Sequence, residues 1–252
     1  MWRRSRGNQG KKGIAGIKKN KMNDQNFFIF KNRGLNGNQL KWLAMLTMMI
    51  DHTGAVLFPQ YRILRIIGRM AFPIYCFLLV QGYFHTRNVW KYGVRLVVFA
   101  FISEPCFDRA FFGKWYEPAY QNIFWTLALG LLLMELCSRG EKKEWNLTPV
   151  FLVLTVLAAW YWNTDYSWSG VLLIYCFYRA YKLGGKKEKL IQLASQCFFH
   201  LLCWGGIQRY GIFSTLLLWL YNQKPGSRKG KYLYYGIYPI HLLLLCWLRK
   251  TI

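Results

Sequence analysis

The sequence predicts an all-α fold: a polytopic transmembrane helix bundle of about nine spans with a cytoplasmic N-terminus. Three observations carry this. Hydrophobic residues make up 54% of the 252 and charged residues only 17%, against roughly 45–50% and 25% in an average soluble domain. Apolar and charged residues are segregated into blocks, which suits neither a soluble globule nor a disordered chain. The charge is lopsided, with 34 Lys and Arg against 10 Asp and Glu, and it alternates from loop to loop.

The chain divides into a basic arm, residues 1–39, and a transmembrane domain, residues 40–252. The arm holds ten Lys and Arg, one acid (Asp24), frequent Gly and Asn, and no apolar period. It reads as a disordered cationic cytoplasmic segment. Its expected partner is anionic membrane lipid, not nucleic acid, because it sits beside a membrane domain. No apolar h-region follows the charges until Leu40, so the arm does not read as a signal peptide.

The spans follow in order as Leu40–Phe58, Ile66–Phe84, Val89–Ser103, Gln121–Cys137, Pro149–Trp162, Trp168–Tyr181, Leu190–Trp204, Gly211–Tyr221 and Tyr232–Leu248. Several are shorter than the roughly 20 residues of a full crossing. Flanking aromatics such as Trp115, Tyr116, Tyr161, Trp162, Tyr166 and Trp168 extend them into the interface. Gly211–Tyr221 is the weakest. With nine spans and the N-terminus inside, 26 of the 34 Lys and Arg fall inside and 8 outside, as the positive-inside rule requires. The location is a cell (plasma or inner) membrane, with lipid as one partner.

The seven cysteines, Cys76, Cys106, Cys137, Cys176, Cys197, Cys203 and Cys246, are scattered, mostly inside apolar runs, and form no CxxC. They read as free thiols acting as small hydrophobes, with no metal site.

Polar residues inside spans are the functional candidates. Asp51 and His52 sit in the outer half of the first span, and a carboxylate beside an imidazole suits general-base work. Adjacent helical residues point about 100° apart, so Asp51 need not touch His52; a pair joining helices is the alternative. Arg65 and Arg69, four apart, share one helical face and suit an anionic or carbonyl-bearing ligand, or else headgroup contact. Glu104 and Asp108 are also four apart and are able to partner those arginines across the bundle, or to be plain interfacial charges. Gln121 and Asn122 open the fourth span, and Asp165 lies in an outer turn. His241 lies two residues after Pro239, which breaks the last helix and frees carbonyls where helices pack or a cavity forms. It is either a second catalytic group or a packed polar residue. His85 is an inner-interface contact, and His200, without nearby acids, is structural. No GxGxxG, P-loop, HExxH or GxSxG is present.

The segments LKWLAMLTMMIDHTGAV (residues 40–56), LRIIGRMAFPI (64–74), GYFHTR (82–87), ISEPCFD (102–108), QNIF (121–124), Asp165-Tyr166 with Gly170-Val171-Leu172, and YPIH (238–241) resemble the TraX family over about residues 40–248. The departures are Cys106, where an apolar residue is expected, and the long arm. Neither touches the chemistry the resemblance implies. TraX proteins are polytopic membrane proteins named for acetylating the N-terminus of an F-type conjugative pilin, and are similar to wider transmembrane acyltransferases with an essential intramembrane His, which His52 matches by position.

The resemblance implies an acetyl-CoA-dependent membrane N- or O-acetyltransferase, with acetyl-CoA as donor and a pilin-like peptide, glycan or lipid as acceptor. His52 would be general base, Asp51 would orient it, Arg65 or Arg69 would hold the oxyanion, and His241 would assist proton transfer. Arg65, Arg69, His85, Arg87, Lys91, Arg95 and Lys182 would serve the donor. Glu104, Asp108, Gln121, Asn122 and Asp165 would face the acceptor. The competing classes are a proton-coupled transporter using Asp51, His52 and Glu104 as a relay, and a non-enzymatic membrane assembly factor. No half-to-half repeat supports the transporter.

Overall fold

The computed structural model describes residues 34–144, 147–224, 226 and 231–251. The expected arm therefore lies outside the described residues up to position 33. Its last residues are not free: Leu35 N–H donates to the Leu220 carbonyl at 2.7 Å, and Asn222 N–H donates to the Leu35 carbonyl at 2.9 Å. The helical domain thus begins before Leu40.

Among the described residues the chain is helix, turn and loop, with isolated bridges at Leu35–Tyr221 and Gln121–Thr164. The helices are α1 (Gly37–Val56), α2 (Arg62–Gly68), α3 (Ala71–His85), α4 (Val89–Phe111), α5 (Ile123–Lys142), α6 (Thr148–Tyr161), α7 (Ser167–Leu183), α8 (Gly185–Cys197), α9 (Ser214–Trp219) and α10 (Lys231–Thr251). A π turn, Phe198–Cys203, extends α8, and a 3-10 segment, Gly206–Phe213, leads into α9.

Local chemistry explains the boundaries. Asn36 caps α1 through a reciprocal box with Gln39, which satisfies donors a helix start otherwise leaves unpaired. Asn88 and Asn122 cap α4 and α5. Gly184, at φ 63°, ends α7 in the left-handed region and lets α8 start at once. Between α2 and α3 the chain breaks at Arg69-Met70. Pro73 lacks the N–H that would bond the Arg69 carbonyl, so a continuous helix would lose that bond.

α1 packs on α2, α3 and α10, and α10 closes onto α4. α5 joins α4, α6 and α7, while α3 contacts α1, α5 and α7. The core is built from Leu40, Ala44, Met45, Ile74, Leu79, Leu133, Met134, Leu173, Ile174 and Phe177. The outer surface is apolar as well: Trp90, Phe101, Trp160, Leu202, Leu216, Ile240 and Trp247 are each more than 60% exposed. All seven cysteines are unpaired.

Two elements among the described residues are both long and apolar enough to cross a membrane, Arg62–His85 and Ile123–Lys142, and Thr148–Tyr161 is a shorter apolar helix.

Candidate functional site

Two polar assemblies are buried side by side in the bundle. The first is centred on Asp51. Its carboxylate is held between two guanidiniums: Arg65 Nη1 lies 2.8 Å from Oδ2, and Arg69 Nη2 pairs with Oδ1. Arg65 Nη1 also donates to the Asp51 carbonyl at 3.2 Å, and Arg69 Nε donates to the Arg65 carbonyl. Asp51 and Arg69 are 7% and 8% exposed, so this ion pair is withdrawn from solvent. Gly68 makes the arrangement possible. A Cβ there would sit 2.1 Å from the Asp51 Cβ and 2.3 Å from Oδ1, closer than atoms approach. Gly54 does the same for Leu64, where a Cβ would stand 2.6 Å away.

The second assembly is a histidine pair. His52 Nδ1 and His241 Nε2 are 2.6 Å apart, and His241 Nδ1 is 2.8 Å from the Ile237 carbonyl. The ring planes differ by 7° with centroids 4.9 Å apart. Parallel rings with nitrogens this close cannot be stacked face to face, so they lie nearly coplanar and meet edge to edge. The network fixes the protons for neutral rings. A carbonyl only accepts, so His241 Nδ1 carries the hydrogen and its Nε2 carries the lone pair. His52 must then donate from Nδ1, which leaves its Nε2 as a lone-pair acceptor. That nitrogen hydrogen-bonds none of the described residues. Phe111 and Tyr238 stand edge-on to the His52 ring, with centroids at 5.3 and 5.7 Å.

Neighbouring helical positions thus serve different partners. Asp51 turns to Arg65 and Arg69 and does not orient His52; His241, reached from α10, does. Arg65 and Arg69 remain within electrostatic range of His52.

Glu104 and Asp108 form no ion pair with the arginines; their hydrogen bonds lie within their own neighbourhood. Glu104 accepts from Asn122 N–H at 3.1 Å and from Trp125 Nε1 at 2.8 Å. Asp108 accepts from Glu117 N–H at 2.8 Å. Asn122 is spent as the α5 cap and as a donor to the Ala100 carbonyl, and Gln121 Nε2 donates to the Pro118 carbonyl. These four residues tie α4, α5 and the intervening loop together. Asp165 behaves differently. It accepts from the Tyr120 hydroxyl at 2.9 Å and, with Tyr166, lies within Coulomb range of Arg69. Its turn is held in uncommon backbone, with Asn163, Tyr166 and Ser167 at φ 48°, 61° and 47°. Left-handed backbone at non-glycine residues costs free energy that surrounding contacts must offset. Here Thr126 bonds Thr164 at 3.0 Å, and Tyr166 stacks on Phe72 with centroids 3.6 Å apart. His200, expected as structural, bonds the Gln208 carbonyl through Nδ1 at 2.8 Å.

A cavity of about 480 Å³ opens at the end of the bundle where α1, α4 and α10 begin and α3 ends. Its lining includes Lys41, His85, Arg87, Lys91 and Arg95, and deeper in, Met48, Tyr75, Phe124 and Tyr238. It brings together four residues expected to serve the donor: His85, Arg87, Lys91 and Arg95. Arg65 and Arg69 are absent from its lining, since Asp51 engages them, and so is Lys182, which pairs with Glu141. Arg95 Nε is buried without a hydrogen-bond partner among the described residues, a donor left for an acceptor in the cavity. The cavity's Lys41, Tyr75, Tyr92, Tyr235 and Tyr238 carried no polar or charge pattern that singled them out. Among the described residues no group of three or more His, Cys, Asp or Glu is placed to hold a metal.

Comparison with known proteins identifies relatives of this chain. The family model described as TraX protein matches residues 36–249. A "probable fimbrial assembly protein FimC, serogroup H1" of Dichelobacter nodosus is 29% identical over 233 residues, covering 82% of this chain and 93% of that protein. Protein TraX of Escherichia coli is 26% identical over 165 residues, covering 62% of this chain and 60% of its own length. No solved structure matches.

Proposed function

The chain belongs to the TraX family, and from that premise and the buried geometry we propose that it is an integral-membrane acetyltransferase. It moves an acetyl group from cytoplasmic acetyl-CoA to an extracytoplasmic or membrane-embedded acceptor: a pilin-like peptide N-terminus, a glycan or a lipid. The N-terminus is cytoplasmic and the chain crosses the cell membrane about nine times. The exposed apolar shell supports lipid as its solvent. The 3-10 segment also helps the weakest span, because its rise of about 2.0 Å per residue lets Gly206–Trp219 extend roughly 25 Å.

One observation carries the reading. A cavity rimmed by Lys41, His85, Arg87, Lys91 and Arg95 runs inward to Tyr238, whose ring also meets the His52–His241 pair. The helical rise from Gly37 to His52 is about 22 Å at ~1.5 Å per residue. The cations suit the donor's phosphates, and the apolar throat suits its extended arm.

His52 Nε2 takes the proton of an acceptor amine or hydroxyl as that group attacks the thioester carbonyl. The C–S bond then breaks, and the same proton passes to the departing thiolate. His241 holds the His52 tautomer and shares the charge of the transient imidazolium through Nε2. Arg65 or Arg69, kept close by Asp51, stabilises the oxyanion, a contribution on the order of 3 kcal/mol. The strained turn at Asp165 and Tyr166 belongs to the acceptor side.

The test is incubation of membrane vesicles containing the chain with radiolabelled acetyl-CoA. Label in membrane material above that of vesicles lacking the chain supports the enzyme. Coupled proton uptake with no transfer would indicate a transporter, and neither signal an assembly factor.

A further inference from the structure

We propose that Tyr238 sets the length of the acyl group the enzyme accepts, restricting the donor to acetyl-CoA and other very short acyl thioesters. This rests on the acetyltransferase reading above and goes beyond it by assigning donor selectivity to a residue outside the base and the arginines.

The argument begins with where Tyr238 stands. It follows Ile237, whose carbonyl accepts a hydrogen bond from His241 Nδ1, and precedes Pro239, which sits inside α10 without interrupting it, contrary to the break expected from the sequence. Its ring faces two compartments. On one side it lines the deep end of the cavity with Phe124 and Met48. On the other it lies edge-on to both imidazoles, 5.7 Å from each centroid, at 78° to His52 and 72° to His241. The other aromatic beside His52, Phe111, is not part of the cavity lining. Tyr238 is 4% exposed, and Phe124 backs it edge-on at 5.2 Å and 77°. It is therefore a packed wall and not a loose surface side chain.

A thioester entering from the cationic mouth meets this ring before the base, because His52 and His241 lie beyond it and do not line the cavity. A two-carbon acyl group is short enough to bring its carbonyl past the ring edge to His52. Each further methylene must displace the tyrosine ring, and pockets discriminate a single methylene by roughly tenfold or more. Longer chains would otherwise be favoured, because the throat is apolar and each buried methylene adds affinity. A site without the wall would thus select the wrong donor.

The test uses vesicles containing the full chain and radiolabelled acetyl-, butyryl- and hexanoyl-CoA, with transfer to membrane material as the readout. The parent protein should prefer acetyl over hexanoyl by at least about a hundredfold. Tyr238→Ala should narrow that ratio at least tenfold, and Tyr238→Phe, which keeps the ring, should move it less than threefold. Should the alanine variant fail to insert, Tyr238→Leu carries the same test, because it keeps apolar packing against Phe124 while removing the ring. An unchanged ratio in the alanine or leucine variant overturns the inference, as does equal relaxation in Tyr238→Phe. Absence of acetyl transfer by the parent protein would instead defeat the acetyltransferase reading itself.

Discussion

Asp51→Asn isolates what the buried carboxylate does. The substitution keeps shape and removes charge. Arg65 and Arg69 then face each other without the counter-ion that sits between them, at 2.8 Å from Arg65. The Arg65 side chain is 26% exposed and finds solvent, whereas the Arg69 side chain is 9% exposed and does not. Removing one partner of a buried ion pair costs about 3–5 kcal/mol, because the other charge stays buried. At roughly 2–4 °C per kcal/mol for a domain near this size, the melting temperature in detergent should fall by on the order of 10 °C. Adding Arg69→Gln should restore part of the loss, with a coupling of about 1–3 kcal/mol in the double-mutant cycle. Thermal unfolding followed by tryptophan fluorescence reads all four proteins. Asp51→Asn melting within about 2 °C of the parent, or strict additivity with Arg69→Gln, would refute the claim that Asp51 exists to hold the arginines.

Three further outcomes are expected. Arg87→Ala and Arg95→Ala should each raise the KM for acetyl-CoA by about tenfold with kcat nearly unchanged, as loss of uniform donor binding requires; steady-state kinetics in vesicles checks this. Deleting residues 2–33 should leave acetyl transfer intact in correctly inserted protein, whereas a cut reaching Asn36 should lower the melting temperature, because it removes the α1 cap and the Leu35 pairing with Leu220 and Asn222. A reporter fused after Ile252 should be active outside the cell and one fused after Lys143 inside, as the distribution of Lys and Arg demands.

The helical class was legible from the separation of apolar and charged blocks, because that pattern follows from local composition. The facing of Arg65 and Arg69 was legible for the same reason: an i,i+4 spacing determines it. Their counter-ion was not, because it comes from another helix through a contact that depends on the missing side chain of Gly68. That Asp51 and His52 need not touch was legible from the step of about 100° between adjacent helical residues, but which neighbours each one meets was not. Pro239 read as a break in the last helix, yet α10 continues through it, and nothing local says that His241 meets a residue 189 positions away. Glu104 and Asp108 show the opposite error. Glu104 is half-buried and Asp108 buried, and they accept from Asn122, Trp125 and the Glu117 amide, which only the folded loop reveals. The cavity tyrosines resemble interface aromatics in sequence, so their role depends on which face of each helix turns inward.

The most direct test of the account is single-turnover acetyl transfer by His52→Ala in vesicles, with donor binding measured in parallel. The variant should still bind acetyl-CoA, because the cavity cations are untouched, and should transfer label at least ~10²-fold more slowly, the usual cost of losing a general base. Near-normal transfer by a folded, inserted His52→Ala protein would contradict the mechanism.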